Sequence, residues 1–343
     1  MPMLLASGKG EACRNRASPT LKVHEMKSAT SEVVVNKKVL IGVDGSIHAK
    51  NAIKYAAEQS QSLRDVSYSL IHIQPTISRY LADEAEKTAD GRGKLETIHK
   101  KNHATALELL SECRETLIRL GVKTGDIDQI TQPRKHDVAK DLLDYAEEKN
   151  VCALLVGRRG ISYVTEMMMG SVTSELLTRT KLIPIWIVDN QVQSRNIVVA
   201  VDGSPGSLRA VDHVSFMQAG SKFDKITFLH IIPKFSDFCP VAPVKQDEEF
   251  DALIKTSNQK CTDHFYCEAI KILQRAGYSQ DDIEFKRFEH RWFIGKALVE
   301  EAKKLNAGTI VIGKSSSGQA DHIGKVARYV INKTVRSAIW LVP

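Results

Sequence analysis

Between Gly157 and Ser171 the chain spaces its glycines as G-x2-G-x9-G-S: Gly157-Arg158-Arg159-Gly160, nine residues, then Gly170-Ser171. That spacing suits a phosphate group if the segment joins a strand to a helix. Glycines let the backbone approach a ligand closely and take up positive φ. The free N–H groups at a helix start, together with the helix dipole, favour a polyanion. The Ser171 hydroxyl can donate to a phosphate oxygen or help hold a metal ion on it. Asp44-Gly45-Ser46 ends another apolar run and puts a carboxylate at a neighbouring strand end. The competing reading is a plain surface loop followed by an N-capped helix, since surface turns are rich in glycine.

Other residues carry weaker chemistry. His72 and His230 sit at equivalent places inside apolar strands, where a packed histidine is the expectation rather than a catalytic pair. His136, between Lys135 and Asp137, reads as a loop residue, although on the ligand side of the predicted sheet. Arg158 and Arg159 could meet a triphosphate, or one of them could face solvent. Met167-Met168-Met169 reads as an apolar anchor for the loop. No nucleophile–base–acid triad and no G-x-S-x-G stand out. A G-x-x-x-x-G-K-[ST] segment is absent, which argues against a P-loop hydrolase. The six cysteines lie at irregular spacings without a C-x-x-C, so neither a disulfide framework nor a structural zinc is expected. Cys152, in an apolar run, reads as a small core residue.

The elements that would position these residues occur twice. Lys38-Val39-Leu40-Ile41-Gly42-Val43-Asp44-Gly45-Ser46 returns as Asn196-Ile197-Val198-Val199-Ala200-Val201-Asp202-Gly203-Ser204, an offset of 158. Leu70-Ile71-His72-Ile73 maps onto Phe228-Leu229-His230-Ile231 at the same offset. Ala153-Leu154-Leu155-Val156-Gly157 matches Thr309-Ile310-Val311-Ile312-Gly313 at offset 156, and Ile185-Trp186-Ile187-Val188 matches Ile339-Trp340-Leu341-Val342 at 154. Four matches in one order with a drifting offset mean duplication with small deletions. In the first copy, apolar runs near 38–44, 66–73, 126–131, 152–157 and 184–188 read as strands. Helical patterns fall near 47–62, 94–120, 137–149 and 171–180. Strands of the second copy fall near 196–202, 225–232, 283–288, 308–312 and 338–342. Continuous apolar strands alternating with helices predict α/β domains with parallel, doubly wound, Rossmann-like sheets covered on both faces. Asp44-Gly45-Ser46 is predicted to cap the first helix and Asp137 the third. In such sheets ligands bind beyond the carboxyl ends of the strands, at the switch in strand order.

The 343 residues accommodate about two domains. We expect an N-terminal arm over 1–35, mobile and matching neither copy; a first domain over 36–190; and a second over 194–343. The polar stretch 189–195 joins them and is short enough to suggest that they pack together. A transit peptide over the arm is disfavoured by Glu11 and Glu25. The net charge of +7 divides as +2, +1 and +4 over residues 1–35, 36–193 and 194–343, so there is no basic block to support nucleic-acid binding. No apolar run approaches the roughly 20 residues of a membrane helix. A cytoplasmic protein, with neither nucleic acid nor membrane as partner, is the expectation.

Together, Ile41-Gly42-Val43-Asp44-Gly45-Ser46, Leu70-Ile71-His72-Ile73, and Val156-Gly157-Arg158-Arg159-Gly160 followed by Gly170-Ser171-Val172 resemble the universal stress proteins. The resemblance covers both copies, from about 36 to 343, and implies five-stranded parallel sheets of order 3-2-1-4-5. Family members divide into ATP-binding and non-binding groups, and the first group carries G-x2-G-x9-G-[ST]. By that likeness Asp44 lies near the adenosine and Ile73 beside the adenine, while Gly157, Gly160, Gly170 and Ser171 wrap ribose and phosphates. Val156, Arg159 and Val172 match lining positions more loosely. The implied ligand is ATP, with magnesium; no residue is assigned to catalysis or to a metal site. Fast hydrolysis would need a positioned base, and none is evident.

The second copy departs from the pattern. Asp202, Ile231 and Gly313 are kept, but Ser316 stands where Gly160 does, and Gly313 to Gly324 is 11 steps against 13 from Gly157 to Gly170. Lys325 replaces Ser171, with Lys314 nearby; a lysine could meet a phosphate as a point charge. The shortened loop should not form the same cradle. Trp186 and Trp340 lie in the last strands, which are open edges that need covering. The resemblance suggests that these edges pair, either within the chain as a pseudo-dimer or between chains. The reading is a nucleotide-responsive stress protein acting on an unknown protein partner, against a scaffold without nucleotide or a slow ATPase.

Overall fold

A computed structural model of the chain describes residues 36–160, 169–220, 226–232, 248–289, 293–314 and 323–343. The N-terminal arm, Met167, Met168 and Ser316 lie outside the described residues. In chain order the first copy contains β1 (Lys37–Gly42), α1 (Ile47–Ser60), β2 (Val66–Gln74), α2 (Arg79–Glu86), α3 (Ala89–Arg119), β3 (Ile127–Pro133), α4 (Val138–Glu148), β4 (Ala153–Gly157), α5 (Ser171–Arg179) and β5 (Ile185–Val188). The second contains β6 (Ile197–Val201), α6 (Pro205–Gln218), β7 (Ile226–Ile232), α7 (Glu248–Arg275), β8 (Ile283–Glu289), α8 (Ile294–Lys304), β9 (Thr309–Gly313), α9 (Lys325–Lys333) and β10 (Ala338–Val342).

Local chemistry accounts for the element ends. Gly45 and Gly203 both take φ +82°, a conformation that L side chains disfavour, and turn the chain out of β1 and β6. Ser46 then caps α1 by accepting from Ala49 N–H, Ser204 caps α6 from Ser207 N–H, and Asp137 caps α4 from Lys140 N–H. The α2 helix has no counterpart among the helical patterns of the sequence, and α3 starts earlier than the pattern near 94. Neither start rests on apolar periodicity, because α2 buries no residue. Caps define them instead: Ser78 accepts from Leu81 N–H and Thr88 from Gly91 N–H. Cys152 is half-buried at the margin of the core rather than inside it, whereas Cys113 is buried.

Within each copy the strands follow the order 3-2-1-4-5, but they do not form separate sheets. All ten make one sheet, β3-β2-β1-β4-β5-β10-β9-β6-β7-β8. Every pairing is parallel except the central one, where β5 meets β10 antiparallel with Trp186 opposite Trp340. The fifth-strand edges therefore cover each other inside the chain, as an open edge requires. One apolar layer lies under α1, α3, α6 and α7, with Ala52, Leu110, Ala210 and Phe265. The opposite layer lies under α4, α5, α8 and α9, with Leu142, Leu176, Leu298 and Val330.

The contact between the copies is built from equivalent residues. The Trp186 and Trp340 rings stack at 4.0 Å and 2°. Trp340 Nε1–H donates to Tyr55 Oη at 2.9 Å, and Trp186 Nε1–H to His213 Nε2 at 3.0 Å; Tyr55 and His213 are 158 apart. His213 must therefore carry its proton on Nδ1, consistent with burial that pushes its pKa down to about 3. Cations from each copy reach helix ends of the other, where carbonyls and the dipole favour positive charge. Arg158 donates to Asn332 O (2.8 Å) and Thr334 O (3.0 Å) at the end of α9. Its counterpart Lys314 donates to Thr178 O (2.8 Å) and Thr180 O (2.9 Å) at the end of α5. At the other end of the strands Lys37 donates to Ala219 O (2.9 Å), and Arg195 to Gln61 Oε1 (2.7 Å).

Candidate functional site

The carboxyl ends of β1 and β4 lie side by side, with Gly42 level with Val156. Asp44 leaves β1 with Oδ1 accepting from Ser46 N–H at 3.0 Å. The Ser46 hydroxyl donates to Arg159 O at 3.3 Å, which ties the loop after β4 to the turn after β1. Gly160 faces Asp44 so closely that a Cβ there would stand 2.8 Å from Oδ2. Gly170 closes the group: its N–H donates to Arg158 O at 3.0 Å, and a Cβ would lie 3.3 Å from Arg159 Cα. Asp44, Arg159, Gly160 and Gly170, far apart in sequence, thus converge. Gly170 is also the N-cap of α5 and provides no side-chain cap, so the first N–H groups beyond it are left for another acceptor. Ser171 is exposed at that helix start and Val172 is half-buried behind it. Ile73 and Val156 are buried in the apolar layer against which Val172 and Met169 pack.

Two of the predicted site residues also make structural contacts of their own. A Cβ on Gly157 would come within 2.7 Å of His48 C and 2.8 Å of Ala49 N. This glycine is needed for the close packing of β4 on the first turn of α1, before any ligand is considered. Thr173 reinforces the place by donating to Gly157 O at 2.9 Å. Arg159 does not extend toward solvent; its Nη2 binds both Asp189 oxygens, at 2.7 and 3.0 Å. Arg158 is almost wholly buried and pairs with Asp189 Oδ2 at 3.1 Å while holding α9, so it belongs to the contact between the copies. His48 completes the group, with Nδ1 2.8 Å from Asp189 O. By sequence alone Asp189 is the start of a polar linker. Its place just beyond the end of β5, one residue past Val188, parallels that of Asp44 two residues past the end of β1, and is the signal that the sequence offers. His72 is a packed strand histidine, its Nδ1 2.8 Å from Val43 O.

The second copy has the same frame with different contents. Gly206 stands where the first copy has His48, and a Cβ on Gly313 would be 2.4 Å from Gly206 C. Ser207 replaces Ala49 and donates to Asp202 Oδ1 at 2.5 Å, alongside Ser204 N–H at 3.0 Å. Burial pushes the Asp202 carboxyl up, but the hydrogen bonds from Ser204 and Ser207 outweigh it and hold the pKa below its ordinary value. His230 bonds Val201 O through Nδ1 at 2.8 Å, and burial pushes its pKa down. Lys314, considered above as a phosphate contact, is instead engaged with the end of α5. Gly324 caps α9 as Gly170 caps α5, without a side-chain bond. The shortened loop lies over 315–322, outside the described residues.

Among the described residues His136, Asp141 and Asp144 bring three ligand-type atoms within 4.8 Å of one another. Asp141 is already engaged by Lys135 N–H (2.7 Å), His136 N–H (3.1 Å) and the His136 ring (3.2 Å), and Asp144 pairs with Lys140. The trio orders the entry to α4. No helix of the described residues is long and apolar enough to cross a membrane.

A family model described as the universal stress protein family matches the chain twice, over residues 36–189 and 193–337. Universal stress protein YxiE of Bacillus subtilis is 26% identical over 151 residues, 44% of this chain and 97% of that protein. Universal stress protein Rv1996 of Mycobacterium tuberculosis is 24% identical over 215 residues, 60% of this chain and 65% of that protein. A crystal structure of a universal stress protein from Archaeoglobus fulgidus superposes with a TM-score of 0.62 at 17% identity, over 90% of this chain and 98% of that one.

Proposed function

The chain belongs to the universal stress protein family, with two tandem copies, and from that premise we propose that its first copy binds ATP and its second does not. The observation that carries the reading is the convergence of Asp44, Gly160 and Gly170 at the bare start of α5. A polyphosphate fits the donors present. The N–H groups after Gly170 and the Ser171 hydroxyl would hold phosphate oxygens, and Gly160 leaves room beside Asp44 for the ligand to approach. Arg159 Nε–H is buried with no acceptor among the described residues. Ile73, Val156 and Val172 supply apolar surface for the base, and Asp44 an acceptor for ribose hydroxyls. Magnesium would accompany the phosphates. The nucleotide supplies negative charge and a state signal; the residues bind and orient it. ATP then biases conformation or assembly through its differential affinity for two states, and the unknown protein partner reads that state.

In the second copy the Asp202 carboxylate is engaged by Ser207, which leaves a poorer acceptor. The test compares Asp44→Ala and Gly160→Val with Asp202→Ala by calorimetric titration with ATP and magnesium. The first two should each lower affinity at least tenfold, and the third should leave it unchanged. Equal loss from Asp202→Ala would overturn the assignment to one copy. Gly160 is the better probe than Gly157, because among the described residues its Cβ would meet only the Asp44 side chain rather than backbone.

A further inference from the structure

Arg158 and Arg159 share one buried carboxylate but point to different ends of the molecule's function. Arg159 stays beside Gly160 in the loop that faces Asp44, and gives both its Asp189 bonds through Nη2, at 2.7 and 3.0 Å. Arg158 bonds the same Asp189 at 3.1 Å and carries on to the last carbonyls of α9 in the other copy. Both Nε–H groups are buried, and neither has an acceptor among the described residues. The chain leads directly from this cluster to the stacked indoles. Asp189 follows Trp186 by three residues, and Thr334 precedes Trp340 by six. A carboxylate offers one negative charge, whereas a magnesium-free triphosphate offers up to about four and a monophosphate about two. Planar guanidinium groups favour phosphate oxygens as bidentate partners.

We propose that Asp189 is a charge gate: it holds Arg159 until a triphosphate competes for it, and the transfer of Arg159 shifts Asp189 onto Arg158 and so onto the contact between the copies. This rests on the assignment of ATP to the first copy and adds to it a route by which the ligand is sensed. Because coupling is reciprocal, a change at the gate must alter nucleotide affinity by the same factor as the nucleotide alters the gate. Charge is what the gate reads. ADP and AMP should draw Arg159 less than ATP, although all three share the adenosine contacts.

The experiment uses the full chain with Trp292→Phe, so that tryptophan emission reports the Trp186–Trp340 stack. Affinities for ATP and AMP are measured by calorimetry without magnesium, so that their charges differ, in that background and in Asp189→Asn. Removing the competing carboxylate should tighten ATP binding about fivefold or more and leave AMP within about twofold. A weaker or unchanged affinity for ATP in Asp189→Asn overturns the gate, and so does an equal gain for ATP and AMP, which a structural role alone would produce. The second variant covers failure of Asp189→Asn to fold. Arg159→Gln leaves Asp189 to Arg158, so its emission without nucleotide should match that of ATP-saturated protein and change no further with ATP. Emission like that of the nucleotide-free parent overturns the gate. No ATP binding to the parent overturns both the gate and the proposed function; binding without these differences overturns the gate alone.

Discussion

Asp44 and Asp202 end equivalent strands, precede glycines with the same φ and are followed by equivalent capping serines, yet their carboxylates have different neighbours. Asp44 Oδ2 faces Gly160 across a gap that only a residue without a side chain leaves open. Asp202 is bonded by Ser207 and Ser204 within its own turn. Opposite them, His48 links α1 to Asp189 in the first copy, while Gly206 brings α6 closer to β9 in the second. A duplicated frame preserves strand order, turn geometry and cross-copy contacts. The side chains of one helix turn decide which carboxylate remains available.

Breaking the reciprocal cation contacts should have the largest effect on stability. Arg158→Ala removes a partner of buried Asp189 and two bonds to α9, so a loss of about 3–5 kcal/mol is expected. Lys314→Ala removes contacts to the α5 carbonyls and should cost about 1–2 kcal/mol. Urea denaturation compares the two, and equal losses would mean that Asp189 adds nothing to the contact.

Next come the packing glycines. Gly313→Ala forces a Cβ within 2.4 Å of backbone and Gly157→Ala within 2.7 Å, so both should lose about 1–3 kcal/mol, with Gly313 the more sensitive. Thermal unfolding that left either variant unchanged would show that α1 or α6 can shift freely.

A smaller effect separates Tyr55 from His213, which occupy the same place. Burial lowers the His213 pKa from 6.5 to about 3, so the unfolded chain binds a proton that the folded chain refuses between those values. The corresponding stability is complete above about pH 6.5 and is lost as pH falls toward 3. Near pH 4.5 the loss is on the order of 3 kcal/mol. Tyr55, pushed up by burial, stays neutral throughout. Replacing His213→Tyr should flatten the difference in stability between pH 7 and pH 4.5 relative to the parent; an unchanged slope would place the acid sensitivity elsewhere.

Much of this architecture was legible because it depends on main-chain patterns. Apolar runs such as Leu154-Leu155-Val156 mark strands covered on both faces, and repeated Asp-Gly-Ser turns mark the starts of α1 and α6. The convergence of Asp44, Gly160 and Gly170 followed from strand order. What escaped were features without a period. The α2 helix has no buried face, and Asp189 looks like any polar linker residue until folding brings Arg158, Arg159 and His48 around it. Gly157 and Gly160 are the same residue type in one motif, and only the structure separates a glycine that packs on backbone from one that faces a carboxylate. Merging of the two sheets was one of two open alternatives, because an apolar edge strand pairs equally well within a chain or between chains.

The most direct test is the number of adenine nucleotides bound per chain at saturation, measured by equilibrium dialysis with ATP and magnesium. One per chain is expected in the parent and in Asp202→Ala, with Asp44→Ala needing at least tenfold more ATP to fill its site. Two per chain, or a site in Asp44→Ala that fills at the same ATP concentration as in the parent, would contradict the assignment to the first copy.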